Sequence, residues 1–267
     1  MNKILLFIPM YNCEKQIIRV LEQLTTEVCE YLSEAIIVNN MNTDSSELTV
    51  KKYLESHDIS IPVKLLRNKE NYGLGGSHKV AFNYALENNF DYVVVLHGDD
   101  QGYISDILPL IKNGEYSKYD CCLGTRFMAG SKLIGYNRLR IMGNYCFNLL
   151  FSMVAHKSIK DIGSGLNLYK VKSLRNKYFM KYPDTLYFNA LMILASCYYR
   201  QNILFYPISW REDDQISNAK LWNLSVSLLK ILGSYMKAKK SYMKSDMRTK
   251  KIDIYEADVI FERGSDK

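Results

Sequence analysis

No Cys-x-x-C pair occurs among the six cysteines, Cys13, Cys29, Cys121, Cys122, Cys146 and Cys197. Most sit in apolar or helical stretches, so neither a zinc site nor a disulfide framework is expected. Long uncharged runs are missing too. Setting histidine aside, the longest are residues 141–156 and 185–199, short of the roughly 18–20 needed to span a bilayer. The apolar stretch between Lys3 and Pro9 is too brief for a signal peptide, and a cytoplasmic protein is the expectation. No internal repeat or low-complexity linker breaks the chain. No base-stacking motif accompanies its basic residues, which argues against nucleic-acid binding.

What is present is ordinary for a globular protein: 48% apolar and 24% charged residues over 267 positions. That suffices for one large α/β domain, or a domain with an appendage. The net charge of +7 is unevenly placed. Residues 230–251 hold eight Lys/Arg and one acid, a surplus equal to that of the whole chain. A basic segment beside an amphipathic helix suits an anionic membrane surface, and equally a solvated helix without a partner.

Short apolar runs at 3–8, 34–38, 62–66, 92–96 and 119–123 read as buried strands. Helical patterns separate the first four, at 14–31, 44–56 and 77–88, and another is expected at 103–112. Strand–helix alternation with a polar loop after each strand is the pattern of a doubly wound, mainly parallel sheet. Beyond Arg126 the rhythm changes, with helices expected at 137–156, 185–199 and 217–242, a strand at 203–208, and a peripheral tail from 251.

The run 92–96 ends abruptly in His97, Gly98, Asp99, Asp100 and Gln101. In open α/β sheets ligands sit outside the carboxyl ends of such strands. Two adjacent carboxylates there repel unless a cation intervenes, and Mg²⁺ is usually held by one or two carboxylates plus substrate phosphates. Asp99 and Asp100 are therefore candidate metal ligands at a diphosphate site; the plainer alternative is that they cap the next helix. The glycines of 71–77 would let a ligand approach the backbone at a helix start.

In order, the chain carries Ile8-Pro-Met-Tyr-Asn12, the 38–44 loop, Asn71-Tyr-Gly-Leu-Gly75, the 98–101 cluster, Gly124-Thr-Arg126, Lys160-Asp161 with Ser164-Gly165, and Arg211 with Lys220. This series resembles glycosyltransferase family 2, with its GT-A fold. It is most similar to the polyprenyl-phosphate sugar synthases. The resemblance implies a GT-A domain over residues 1–222, followed at 223–267 by a basic amphipathic helix and tail that is membrane-peripheral or dimerising. It implies that Pro9, Tyr11, Asn12, Asn39, Asn40 and Asn42 hold a nucleoside, with Asn71, Gly73, Gly75 and Gln101 completing the donor site. Asp99 lies where the family places the second carboxylate of its Asp-x-Asp metal motif, served by Mg²⁺ or Mn²⁺. Arg126, Arg140 and Arg211 fall where phosphates are neutralised, and Asp161 beside the acceptor.

Three departures bear on the chemistry. Asn39-Asn40 replaces an acidic pair, which leaves both UDP- and GDP-linked sugars open as donors. His97 replaces the first metal-motif Asp; imidazole suits Mn²⁺ better than Mg²⁺. Near Leu191, where many relatives have an acid, residues 188–192 offer none. A lipid phosphate is already anionic and needs no general base, whereas a sugar hydroxyl does, with Asp161 or Asp213 as candidates. The expectation is inverting transfer to a polyprenyl phosphate at the inner face of the membrane, where Trp222, Leu228, Leu229, Leu232, Tyr235 and Met236 could dip. That stripe could instead pack on the protein's own core or join a homodimer. The alternatives are transfer to a growing surface glycan, and nucleotide-sugar binding without catalysis.

Overall fold

The computed structural model describes residues 2–212 and 221–264. Its central feature is an eight-stranded sheet ordered β10-β3-β2-β1-β4-β7-β5-β8. The strands are β1 (Ile4–Met10), β2 (Glu34–Asn39), β3 (Val63–Asn68), β4 (Tyr92–Leu96), β5 (Cys121–Thr125), β7 (Leu166–Lys170), β8 (Ile203–Pro207) and β10 (Ala257–Arg263). A two-stranded ribbon, β6 (Lys132–Ile134) with β9 (Ser209–Arg211), lies apart. The helices are α1 (Ile17–Leu21), α2 (Thr26–Cys29), α3 (Ser46–Ser56), α4 (Gly73–Glu87), α5 (Leu108–Lys112), α6 (Arg138–Ala155), α7 (Phe188–Tyr198) and α8 (Leu221–Lys244).

Side chains alternate along β1 between two apolar layers. Leu5 and Phe7 join α4, α6, α7 and α8 on one face, while Ile4, Leu6 and Ile8 join α1, α3 and α5 on the other. Period-two alternation forces this division, since successive strand residues point to opposite faces. The doubly wound α/β architecture follows.

The sheet is mainly parallel, as expected, with β7 antiparallel between β4 and β5. Two elements differ from expectation. The 14–31 helix is two short ones, α1 and α2, because Thr25 turns extended and caps α2 through its hydroxyl. The tail is not peripheral, since β10 pairs antiparallel with β3 and closes that edge of the sheet. Three apolar residues between two acids, Asp258-Val-Ile-Phe-Glu262, are weak evidence for an edge strand until its partner is in place.

Helix α4 buries His78 against Phe7, His97 and Phe188. Its Nδ1 lies 2.8 Å from the Leu74 carbonyl, while Nε2 is buried without a partner among the described residues. Burial, then repulsion from His97, pulls its pKa down to about 3. A depressed folded pKa means that acid favours the unfolded chain, so this contribution to stability is lost as pH falls below the ordinary histidine value. Between pH 7 and pH 5 the loss from His78 is expected to be about 2 kcal/mol. Asp99 acts in the opposite direction, so urea midpoints of wild type and His78→Leu should be compared across that range. Parallel curves would refute the assignment.

Candidate functional site

The loops after β1, β2 and β3 are laced together by asparagines. Asn12, in the left-handed region at φ 50°, exchanges hydrogen bonds with Thr43 and donates its backbone N–H to Asn42 Oδ1 at 3.0 Å. Asn40 Oδ1 accepts from Asn68 at 3.0 Å and from the Tyr72 N–H at 2.8 Å, and Asn40 Nδ2 donates to Asn71 at 2.8 Å. Asn39 donates to Glu47 and accepts from the Asn42 N–H. Asn39 and Asn40 are buried and their side chains are committed to hydrogen bonds within the loops, where contact with a nucleoside was expected. Asn42 Nδ2, by contrast, is a buried donor without a partner among the described residues. Tyr11 is exposed. Glu47 and Arg67 were missed from sequence. Arg67 pairs with Glu47 and holds its carboxyl below the usual range.

The glycines have a different use from the one expected. A Cβ on Gly73 would stand 2.4 Å from the Asp184 carbonyl oxygen, and one on Gly75 would stand 2.4 Å from that of Pro183. Gly75 N–H donates to the Asp184 carbonyl at 2.9 Å. The turn at 183–184 thus occupies the space a ligand was expected to use. Lys79, fully buried, holds that turn through Asp184 at 2.6 Å and Tyr255 at 3.1 Å.

At the end of β4, Gly98 N–H donates to the Pro9 carbonyl at 3.1 Å, which ties this edge to β1. Asp99 Oδ1 accepts from the Gln101 N–H at 3.3 Å. Lost solvation pushes its pKa up to about 6, helped slightly by Glu212. Asp100 turns away at φ 58°, and its carboxylate meets Arg19 at 2.5 Å and Arg211. Arg211 Nε also donates to the Asp100 carbonyl at 2.8 Å. Asp100 therefore anchors two arginines and is not placed as a metal ligand, because its charge is already neutralised. His97 is neutral, its pKa drawn down to about 4 by burial and then by Arg126; its Nε2 is orphaned.

Arg126 and Asp161 form a buried pair. The carboxylate accepts from Arg126 N, Nε and Nη2 and from the Gly163 N–H, at 2.7–3.0 Å. The guanidinium lies over Trp210 and reaches Tyr136. Arg140 pairs with Glu212 and stacks on Tyr136. Both Asp161 oxygens are thus committed to Arg126 and the Gly163 N–H; a base role was expected of Asp161, or of Asp213, only for a sugar-hydroxyl acceptor. Leu191 is fully buried and brings no acid. Asp213 and Lys220 lie outside the described residues.

A divalent ion fits this edge as one that arrives with its ligand. Among the described residues no group of three His, Cys, Asp or Glu side chains is placed to hold a metal. Asp99 supplies one hard carboxylate oxygen donor, and Mg²⁺ or Mn²⁺ commonly completes its shell with substrate phosphates and water.

The family model described as "Glycosyl transferase family 2" matches residues 6–179. The chain belongs to glycosyl transferase family 2. This glycosyltransferase is 22% identical over 174 residues to the uncharacterized protein MJ1222 of Methanocaldococcus jannaschii, covering 65% of this chain and 67% of that one. Among solved structures it is similar to glucosyl-3-phosphoglycerate synthase of Mycobacterium tuberculosis in complex with UDP: TM-score 0.62, 12% identity, 99% of this chain and 90% of that chain. It is also similar to S. aureus TarS 1–349 in complex with UDP-GlcNAc: TM-score 0.56, 16% identity, 90% and 70%. The mycobacterial enzyme has also been solved with Mn²⁺, UDP-glucose and glycerol 3-phosphate. These likenesses show the GT-A fold. Among the described residues, no helix is long and apolar enough to cross a membrane.

Proposed function

We propose that the glycosyltransferase moves a sugar from a nucleotide-diphosphate donor, UDP- or GDP-linked, to a polyprenyl-phosphate acceptor with inversion. The observation that carries the acceptor is the state of the carboxylates. Asp100, Asp161 and Glu212 are each committed to arginine, and α7 brings no carboxylate near Leu191. Of the two bases expected for a sugar hydroxyl, Asp161 is committed to Arg126 and Asp213 lies outside the described residues, whereas a phosphate monoester needs no base because it attacks as the anion it already is.

In this reading the nucleoside lies across the asparagine-laced loops, with Asn42 Nδ2 donating to it. The diphosphate points to the end of β4. Asp99 would hold Mg²⁺ or Mn²⁺, whose charge stabilises the departing diphosphate. Arg211, oriented by Asp100, and Arg126, oriented by Asp161, add fixed positive charge whose reorganisation is already complete. Arginine's planar fork suits phosphate oxygens.

The test offers polyprenyl phosphate and soluble sugars side by side, with UDP- and GDP-sugars and with Mn²⁺ or EDTA. The expected product is a lipid-linked monophosphate sugar, formed only with the metal. Transfer to a soluble sugar without lipid would replace this reading with glycan extension, and donor binding without transfer would replace it with a binding protein.

A further inference from the structure

Every exposed position of α6 from Leu139 onward is apolar: Leu139, Met142, Tyr145, Cys146, Leu149 and Met153. Leu139 is 73% and Met142 68% exposed. Spacings of three and four residues place them on one face along the whole helix. The opposite face is already occupied, with Phe151 and Ala155 in the core beside α7 and α8. Tyr145 meets the Phe127 ring, and among the described residues no ring contact, hydrogen bond or ion pair covers the side chains of Leu139, Met142, Leu149 and Met153.

The neighbouring α8 repeats the pattern. Leu228, Leu232 and Tyr235 of the expected stripe pack inward, whereas Trp222, Leu229 and Met236 are exposed, Trp222 at 79% and Met236 at 69%. Their seven-residue spacing forms one outward line, ahead of the break at Ala238. The two helices contain no acid at all. Their charges are Arg138, Arg140, Lys230, Lys237, Lys239, Lys240 and Lys244, and Lys230 and Lys237 are exposed beside the α8 line.

An apolar face this continuous is unusual on a soluble monomer and marks a docking surface. With Arg140 offset by Glu212, a second copy would bring six like charges against six, which disfavours self-association. An anionic bilayer offers the complementary charge together with an apolar layer. We propose that α6 and α8 dock the protein on an anionic lipid surface, α6 by burying Leu139, Met142, Tyr145, Leu149 and Met153 in the headgroup boundary, and α8 through Trp222 and its lysines. The inference extends the lipid-acceptor reading but is measured without donor or acceptor, so the two fail separately.

The full chain is sedimented with vesicles of phosphatidylcholine alone or mixed with phosphatidylglycerol, neither containing polyprenyl phosphate. Binding is expected only to the anionic vesicles, with a blue shift of tryptophan emission from Trp222, since Trp210 is already buried. Met142→Ser with Leu149→Ser should weaken binding about tenfold or more by removing inserted apolar area. Lys230→Ala and Lys237→Ala should each cost roughly fivefold, an effect that added salt erases. All four positions are exposed, and unchanged melting curves control for folding. Absence of binding at low salt, or binding indifferent to the α6 substitutions, overturns the proposal. So does a dimer in light scattering that the same α6 substitutions dissociate, which would assign the face to a second copy.

Discussion

Asp99→Asn is expected to lower sugar transfer by at least about 100-fold while leaving the fold as stable as before or more so. The substitution keeps the shape of the side chain and removes the charge that would hold a divalent ion. In the absence of metal, burial already disfavours the ionised carboxylate and pushes its pKa up to about 6. For an acid, a raised folded pKa means that ionisation at pH 7 opposes folding. Relieving it should add about 1–2 kcal/mol, after discounting for partial exposure. Urea melts in EDTA measure that gain. A thermal-shift panel of UDP, GDP and Mn²⁺ should show a metal-dependent rise for wild type that the variant lacks. Full activity in Asp99→Asn would remove the metal assignment. A lower melting point would show that Asp99 is structural.

Arg126→Ala is expected to cost about 3–5 kcal/mol of stability, because it leaves Asp161 buried and uncompensated. The pair is inaccessible, and the carboxylate draws two of its four hydrogen bonds from this guanidinium, the other two coming from the Arg126 and Gly163 backbone N–H groups. Coulombic attraction and hydrogen bonding from Asp161 keep the guanidinium firmly charged despite its burial. Replacing both partners, as in Arg126→Met with Asp161→Leu, should recover most of the loss, since a buried ion pair is roughly balanced by an apolar pair of similar volume. The double variant then isolates chemistry from folding: it should fold, yet transfer poorly for want of positive charge at the diphosphate. A single variant that loses under 1 kcal/mol but binds donor weakly would instead make Arg126 a direct phosphate ligand whose partner is dispensable.

These expectations show where local pattern stops being informative. The β4 run and the polar cluster after it were readable because a strand buried on both faces leaves a distinctive apolar stretch, and its carboxyl end is where such sheets bind ligands. The Asn12, Asn42 and Asp99 loops were readable for the same reason. What could not be read was which charges cancel. Asp99 and Asp100 look equivalent in sequence, and the pairing of Asp100 with Arg19 and Arg211, residues far from it in the chain, appears only in the fold. Gly73 and Gly75 look like a cradle for a ligand, until Pro183 and Asp184 are seen against them.

By itself, then, the sequence determined the strand–helix alternation, the order of the family's motifs and the loops that carry them, because periodicity and turn chemistry act over a few residues. The tertiary structure decided that β7 and β10 run antiparallel, that Asp161 is spent on Arg126, and that α6 keeps an apolar face outward. Each depends on a partner many residues away, and pairing across that distance is settled by packing and charge neutralisation in the assembled fold.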